Sequence, residues 1–363
     1  SDRLVTVPDA TVADRWVDAW KTEHAAGIVM AAPPPAMWPF RYPLMELPGG
    51  PIVVRVDAVD DAGLALDPSR FGVILGNIAL PTDGASRWLQ AVRRGDGSGE
   101  PLDAFVTGLP VGLLARAVGA GAGGYSLDAA CASSLYAVAL GCADLRAGRL
   151  DAVLVGGASR PDCLYTSIGF SQLHALSRSG VCAPFSRDAD GLLVGEGAGA
   201  FVLRRLEDAV RDGDTIRAVI LGEGLSNDRG GSLLSPDSEG QGRALAAAYL
   251  AAGVDPRSVD LIECHGTGTA RGDRVELASL AALRAGGPPP VIGSVKSNVG
   301  HLLTAAGAAG LCKVVMALEE AVLPPSAGLS RASATEEVVG GPFRVLDRAE
   351  PWAERADGGP RRA

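Results

Sequence analysis

The chain has 363 residues, 47% of them hydrophobic and 21% charged, with a formal net charge of −9. That balance describes a globular protein large enough for one extended core or two fused half-domains, and it excludes a basic nucleic-acid-binding face. No apolar run approaches the ~20 residues that span a bilayer, and SDRLVTVPDATVADRW at the start lacks the pattern of a signal peptide, so the cytoplasm is the expected compartment.

Residues 31–43, AAPPPAMWPFRYP, read as an irregular surface segment, because successive prolines remove donors and fix φ. From residue 71 the pattern sharpens. FGVILGNIAL is a strand-like run ending near Gly76 and Asn77, and 109–119 reads as a helix. Residues 135–149 place apolar side chains at helical spacing and stop at Gly148, and 151–159 form a buried strand. Residues 198–214 begin as a strand and pass into a helix ending at Gly213, and 215–226 read as a further strand. Helix 238–253, strand 259–266, helix 272–286 and strand 290–298 follow, then a long small-residue helix over 302–321. Alternating strands and helices, with several strands apolar at every position, predict an α/β protein with buried sheets. Each half offers buried strands, a small-residue loop and a helix, with no interior linker.

Three stretches stand out chemically. In LDAACASS (127–134) a cysteine lies where a glycine-rich loop becomes a helix. Cys131 there reads either as a small buried apolar residue, the default for all six cysteines, or as a nucleophile whose thiolate the helix N-terminus stabilises. In ECHGTGT (263–269), His265 ends a strand and enters a hydroxyl-lined turn, where Thr267 and Thr269 are placed to hydrogen-bond an extended ligand. In GSVKSNVGHLLTAAG (293–307), Lys296 and His301 flank a second strand-to-helix junction, and Lys296 is expected to pair with a buried acid, Glu196 being one candidate. Together these make a Cys/His/His set suited to covalent thioester chemistry. It is poor geometry for a metal, since no carboxylate or second thiol accompanies the histidines at ligand spacing.

DAACASSLYA, PFSRDADGLLVGEGAG, ECHGTGTARGD and GSVKSNVGH resemble, in this order, the β-ketoacyl synthase domains of type I polyketide and fatty acid synthases. VILGNIALPTDGAS and GASRPDCLYTSIGFSQLHALS are most similar to the iterative subgroup that includes polyunsaturated fatty acid synthases. The resemblance implies the thiolase fold, two similar α/β halves in a five-layered αβαβα arrangement, and a homodimer within a multidomain synthase. It covers roughly 70–350, which divides the chain into a poorly matched segment (1–70), a ketosynthase domain (71–350) and a tail (351–363).

By the resemblance, Cys131 accepts an acyl chain from the phosphopantetheine arm of an acyl carrier protein, and the domain itself binds no cofactor and no metal. His265 and His301 serve decarboxylation of the malonyl extender and polarise its thioester carbonyl. Lys296 matches the lysine of the second histidine motif, and Thr267 and Thr269 match residues that touch the pantetheine arm. The expected reaction is a decarboxylative Claisen condensation in chain extension. The family also opens with a strand running into a Gly-Met-Gly turn and closes with a Phe-Gly-Phe-Gly-Gly-type loop that gates the acyl pocket. Neither is found here, and Arg274 stands where proline is common. These departures keep a second expectation open: a non-condensing, ketosynthase-like domain that holds a dimer or docks a carrier protein.

Overall fold

The structure is a computed structural model that describes residues 28–29, 53–54, 67–78, 83–95, 97, 108–161, 164–230, 236–284, 286–356 and 358–363. The proline-rich segment 31–43 and Cys163 lie outside the described residues.

In chain order the strands are β1 (Ile28–Val29), β2 (Val53–Val54), β3 (Phe71–Gly76), β4 (Gly124–Leu127), β5 (Ala152–Ser159), β6 (Gly197–Arg204), β7 (Leu261–Glu263), β8 (Val291–Gly293), β9 (Val322–Leu323) and β10 (Glu350–Pro351). The helices are α1 (Asp83–Arg94), α2 (Gly108–Ala117), α3 (Ser133–Arg146), α4 (Leu164–Gln172), α5 (Leu206–Asp212), α6 (Ser238–Ala252), α7 (Ala270–Leu283), α8 (Lys296–Val299), α9 (Ala306–Glu319) and α10 (Glu336–Val339).

Strand β3 pairs in parallel with β4 and β5, and β6 adds antiparallel to β5, giving the order β4-β3-β5-β6. Alternation along β3 sorts its side chains between two cores. Phe71, Val73 and Leu75 pack with Val111 and Ala115 of α2. Ile74 points the other way, to Ala137, Val138 and Cys142 of α3. The parallel pair β7–β8 repeats the device: Leu261 and Val291 pack with Ala317 of α9, while Ile292 meets Leu277 and Leu280 of α7. Helices α3 and α9 pack on each other between the two sheets. The layers therefore run α2, sheet, α3 with α9, sheet, α7 with α6.

The echo between halves is exact in register. Ala130 has φ +50° and opens a three-residue 3-10 turn that leads into the 14-residue α3. Leu303 has φ +47° and opens a three-residue 3-10 turn that leads into the 14-residue α9. Cys131 in the first turn thus corresponds to Thr304 in the second, a fully buried residue whose hydroxyl donates to the Ala158 carbonyl at 2.7 Å.

Two expectations are corrected. Residues 215–226 form no strand: the backbone runs against α6, with Gly222 and Gly224 so near the helix that a Cβ on either would lie 2.5 or 2.0 Å from the carbonyls of Ala248 and Ala244. Strands β7 and β8 are also shorter than their apolar runs. Residues 294–298 turn instead of extending, because Ser297 and Asn298 close N–H bonds on the carbonyls of Ser294 and Val295. Lys296 consequently begins a short helix.

Candidate active site

The site is built where the two helix-opening turns meet. After β4 the chain passes Asp128 and Ala129 into the left-handed Ala130, a conformation that costs an L-residue roughly 1–2 kcal/mol. Short bonds hold it there. Asp128 accepts the Ala130 N–H at 2.8 Å, and the fully buried Ser133 hydroxyl accepts the Ala129 N–H at 2.9 Å while donating to the Ala130 carbonyl at 2.7 Å. The bend sets Cys131 in the 3-10 turn that leads into α3.

The Cys131 sulfur lies 3.1 Å from Nε2 of His301. Nδ1 of the same ring accepts the Leu303 N–H at 3.1 Å, which uses its lone pair and assigns the ring proton to Nε2. His301 is further fixed through its main chain: its N–H donates to Leu193, and its carbonyl accepts from Gly195 at 3.0 Å. Gly195 is required there, since a Cβ would stand 2.2 Å from the Val299 carbonyl oxygen.

His265 lies edge-on to His301, with ring centroids 5.3 Å apart and planes at 84°. Its loop is gripped from behind by α7. Glu276 accepts the N–H groups of His265 (2.6 Å) and Gly266 (2.8 Å). Asp273 accepts those of Thr267 (3.2 Å) and Phe185 (2.8 Å). Ser294 links the two histidine loops by donating to the Gly266 carbonyl at 2.9 Å. The Thr267 and Thr269 hydroxyls lie 3.0 Å apart in the same turn, Thr267 buried and Thr269 half-buried.

Burial dominates the electrostatics. It pushes His265 down to about 3 and His301 well below the ordinary histidine range, with the Lys296 charge acting the same way on both. His301 is sealed, whereas His265 keeps exposed surface even though the protein around its ring desolvates it. Both rings are neutral near pH 7. Burial also raises the Cys131 thiol above its ordinary value, and Lys296 only partly opposes it. The resting group is a thiol, not the thiolate that a helix N-terminus alone predicts. Burial lifts Asp273 to about 6 and Glu276 to about 7 against their hydrogen bonds, which act downward.

The donor atoms of Cys131, His265 and His301 lie within 4.8 Å of one another, a spacing that also invites a metal ion. The Leu303 bond argues otherwise for His301: with the proton on Nε2, that nitrogen meets the sulfur as a donor and has no lone pair for a cation.

All three predicted reactive residues therefore converge. Lys296 is buried close enough to act on each of them, but among the described residues no ion pair joins it to Glu196. The carboxylates it reaches electrostatically are Asp273 and Glu276. The buried ion pair of this region is Lys313 with Glu263, 2.6 Å apart. Sequence reasoning missed it, although a lysine inside the apolar run AGLCKVVMAL was a visible signal. It also missed Asp273 and Glu276, whose i, i+3 spacing just after a Gly-Thr-Gly-Thr turn places both carboxylates on one helix face.

Comparison with known proteins follows the same outline. Two family models match consecutively: "Beta-ketoacyl synthase, N-terminal domain" over residues 52–209 and "Beta-ketoacyl synthase, C-terminal domain" over 217–330. The chain is 36% identical over 324 residues to a polyunsaturated fatty acid synthase polypeptide of Thraustochytrium sp., covering 82% of this chain and 15% of that protein. It therefore spans under a sixth of that relative's length. Among solved structures, the PfaC keto synthase-chain length factor aligns with a TM-score of 0.72 at 39% identity, covering 78% of this chain and 33% of that one. The ishigamide ketosynthase/chain length factor aligns with a TM-score of 0.70 at 31% identity, covering 81% and 73%.

Proposed function

Because the chain belongs to the β-ketoacyl synthase family and has its thiolase fold, we propose that it condenses a Cys131-bound acyl chain with a malonyl thioester, with decarboxylation. The observation that carries this reading is the Cys131 sulfur 3.1 Å from a proton-bearing imidazole nitrogen, with a second neutral imidazole beside it.

In the first half-reaction the Cys131 sulfur attacks the thioester carbonyl of an acyl chain on phosphopantetheine. A new C–S bond forms, the old one breaks, and the proton lost by Cys131 ends on the departing pantetheine thiol. In the second, the C–C bond to the malonyl carboxylate breaks and CO2 leaves. The electron pair moves onto the thioester oxygen as an enolate, which N–H donors of His265 and His301 stabilise, each such donor being worth about 3–4 kcal/mol of barrier. The enolate carbon then attacks the acyl carbonyl, Cys131 departs as thiolate, and a proton from water restores the thiol. Neutral imidazoles suit this role, because an N–H donor is needed and no proton need be taken up beforehand.

The remaining assignments belong to the same reading. Residues 71–350 form the condensing unit. Lys296 supports the charge that develops at the site, and Thr267 and Thr269 contact the pantetheine arm. That arm arrives on an acyl carrier protein within a larger cytoplasmic synthase, and the domain holds no cofactor of its own. No described helix is long and apolar enough to cross a membrane. Dimerisation uses the outer edge of β4, which among the described residues pairs with β3 alone and exposes Tyr125.

Intact mass measured with and without a short acyl-pantetheine thioester tests the proposal. One acyl adduct on the chain, absent from Cys131→Ala, together with CO2 release from a malonyl thioester, is the expected outcome. A folded chain that takes no adduct would favour the non-condensing, dimer-holding alternative.

A further inference from the structure

The Glu263–Lys313 ion pair is set where stability alone does not call for it. Both side chains are buried, at 10% and 6% exposure, and stripping two charges of water is costly enough that an apolar pair of equal volume would serve a core as well. What an apolar pair cannot do is direct a third group. The second oxygen of Glu263 accepts the Val295 N–H at 2.5 Å.

That one carboxylate therefore joins three segments. Glu263 ends β7, two residues before His265. Val295 caps the turn that begins with Lys296. Lys313 stands on α9, the helix that follows His301. Glycines keep room around it: a Cβ at 310 would lie 3.1 Å from the Glu263 Cγ, and one at 293 would lie 3.1 Å from the Lys313 Nζ. The hydrogen bonds of these two side chains go to Val295 and to each other, and the Cys131 elbow has its own pins in Asp128 and Ser133.

We infer that Glu263 and Lys313 are positioning residues that fix the two imidazoles relative to each other. They thereby serve the decarboxylating half-reaction selectively over acylation of Cys131. The inference rests on the condensing reading above.

The experiment compares the full chain with Glu263→Gln, Lys313→Met and the Glu263→Gln/Lys313→Met double variant. Three quantities are read for each: thermal midpoint, rate of Cys131 acylation by an acyl-pantetheine thioester, and rate of CO2 release from a malonyl thioester. Lys313→Met leaves a carboxylate buried without its partner and should lower the midpoint. The double variant removes both charges and should regain it. CO2 release should stay about 10–100-fold down in the double variant, with acylation changed less than about 3-fold, because displacements on the order of 1 Å cost that much in a positioned reaction. CO2 release that recovers with the midpoint, or falls in parallel with acylation, overturns the inference and leaves the condensing reading standing. A wild-type chain that neither acylates nor decarboxylates overturns both.

Discussion

The carboxylate of Glu276 accepts the backbone N–H of His265 at 2.6 Å, and its other oxygen holds Gly266 at 2.8 Å. With both oxygens accepting, a proton on either would face an N–H, so the loop is best held by the ionised form. Burial lifts Glu276 to about 7 and Asp273 to about 6. CO2 release from a malonyl thioester should therefore fall as pH drops through about 7 to 6, and Glu276→Gln should flatten that limb.

The same two groups act on stability with the opposite slope. Their ordinary values are 4.5 and 3.8, so between there and about 7 the folded chain binds protons that the unfolded chain has lost. Their contribution is fully present below about pH 4 and is lost as pH rises through about 7. Denaturant unfolding of wild type against Asp273→Asn/Glu276→Gln should show a wild-type advantage that shrinks with rising pH. An advantage that grows with pH contradicts the assignment.

Cys131→Ala should fold, since the elbow is pinned by Asp128 and Ser133, neither of which uses the sulfur. Intact mass should show no acyl adduct. CO2 release should persist, because both imidazoles remain.

His265→Ala and His301→Ala each remove one donor from the enolate and should slow CO2 release by about 100–1,000-fold. They should separate in the acylation assay. Of the two rings, His301 is the one hydrogen-bonded to the Cys131 sulfur, so its loss should change the acylation rate more strongly.

Gly195→Ala drives a methyl to 2.2 Å from the Val299 carbonyl. The backbone must shift, at a cost of about 1–3 kcal/mol. The shift falls on the segment that bonds His301, so a calorimetric loss of thermal midpoint should come with reduced CO2 release.

Arg274 makes an exposed ion pair with Glu337 at 3.0 Å. Pairs of this kind contribute about 0–1 kcal/mol, so Arg274→Ala should leave the unfolding midpoint nearly unchanged.

Much of this arrangement was legible in the sequence. The four ketosynthase-like motifs located Cys131, His265, His301 and Lys296, and apolar periodicity placed α3, α6 and α9. The residues that escaped notice act through the main chain. Glu276, Asp273 and Glu263 look like ordinary helix or strand charges until the chain folds and presents backbone N–H groups to them. Residues 215–226 were misread for a related reason. Their apolar run fits a strand, but a strand needs a neighbour, and this one lies on α6 with Ile216, Val219 and Leu221 exposed. The raised Cys131 thiol was also out of reach, since a helix start is local and burial is not.

The bond that sets the proton on His301 comes from the main chain of Leu303. A substitution at 303 exchanges a side chain and leaves the amide in place. Proline alone would delete it, and proline is already barred there, because it fixes φ near −65° where the chain needs +47°. A change of side chain at this buried position therefore leaves the donor to the imidazole in place wherever the backbone keeps its path. The protonation pattern is inherited with the path of the backbone rather than with any replaceable side chain.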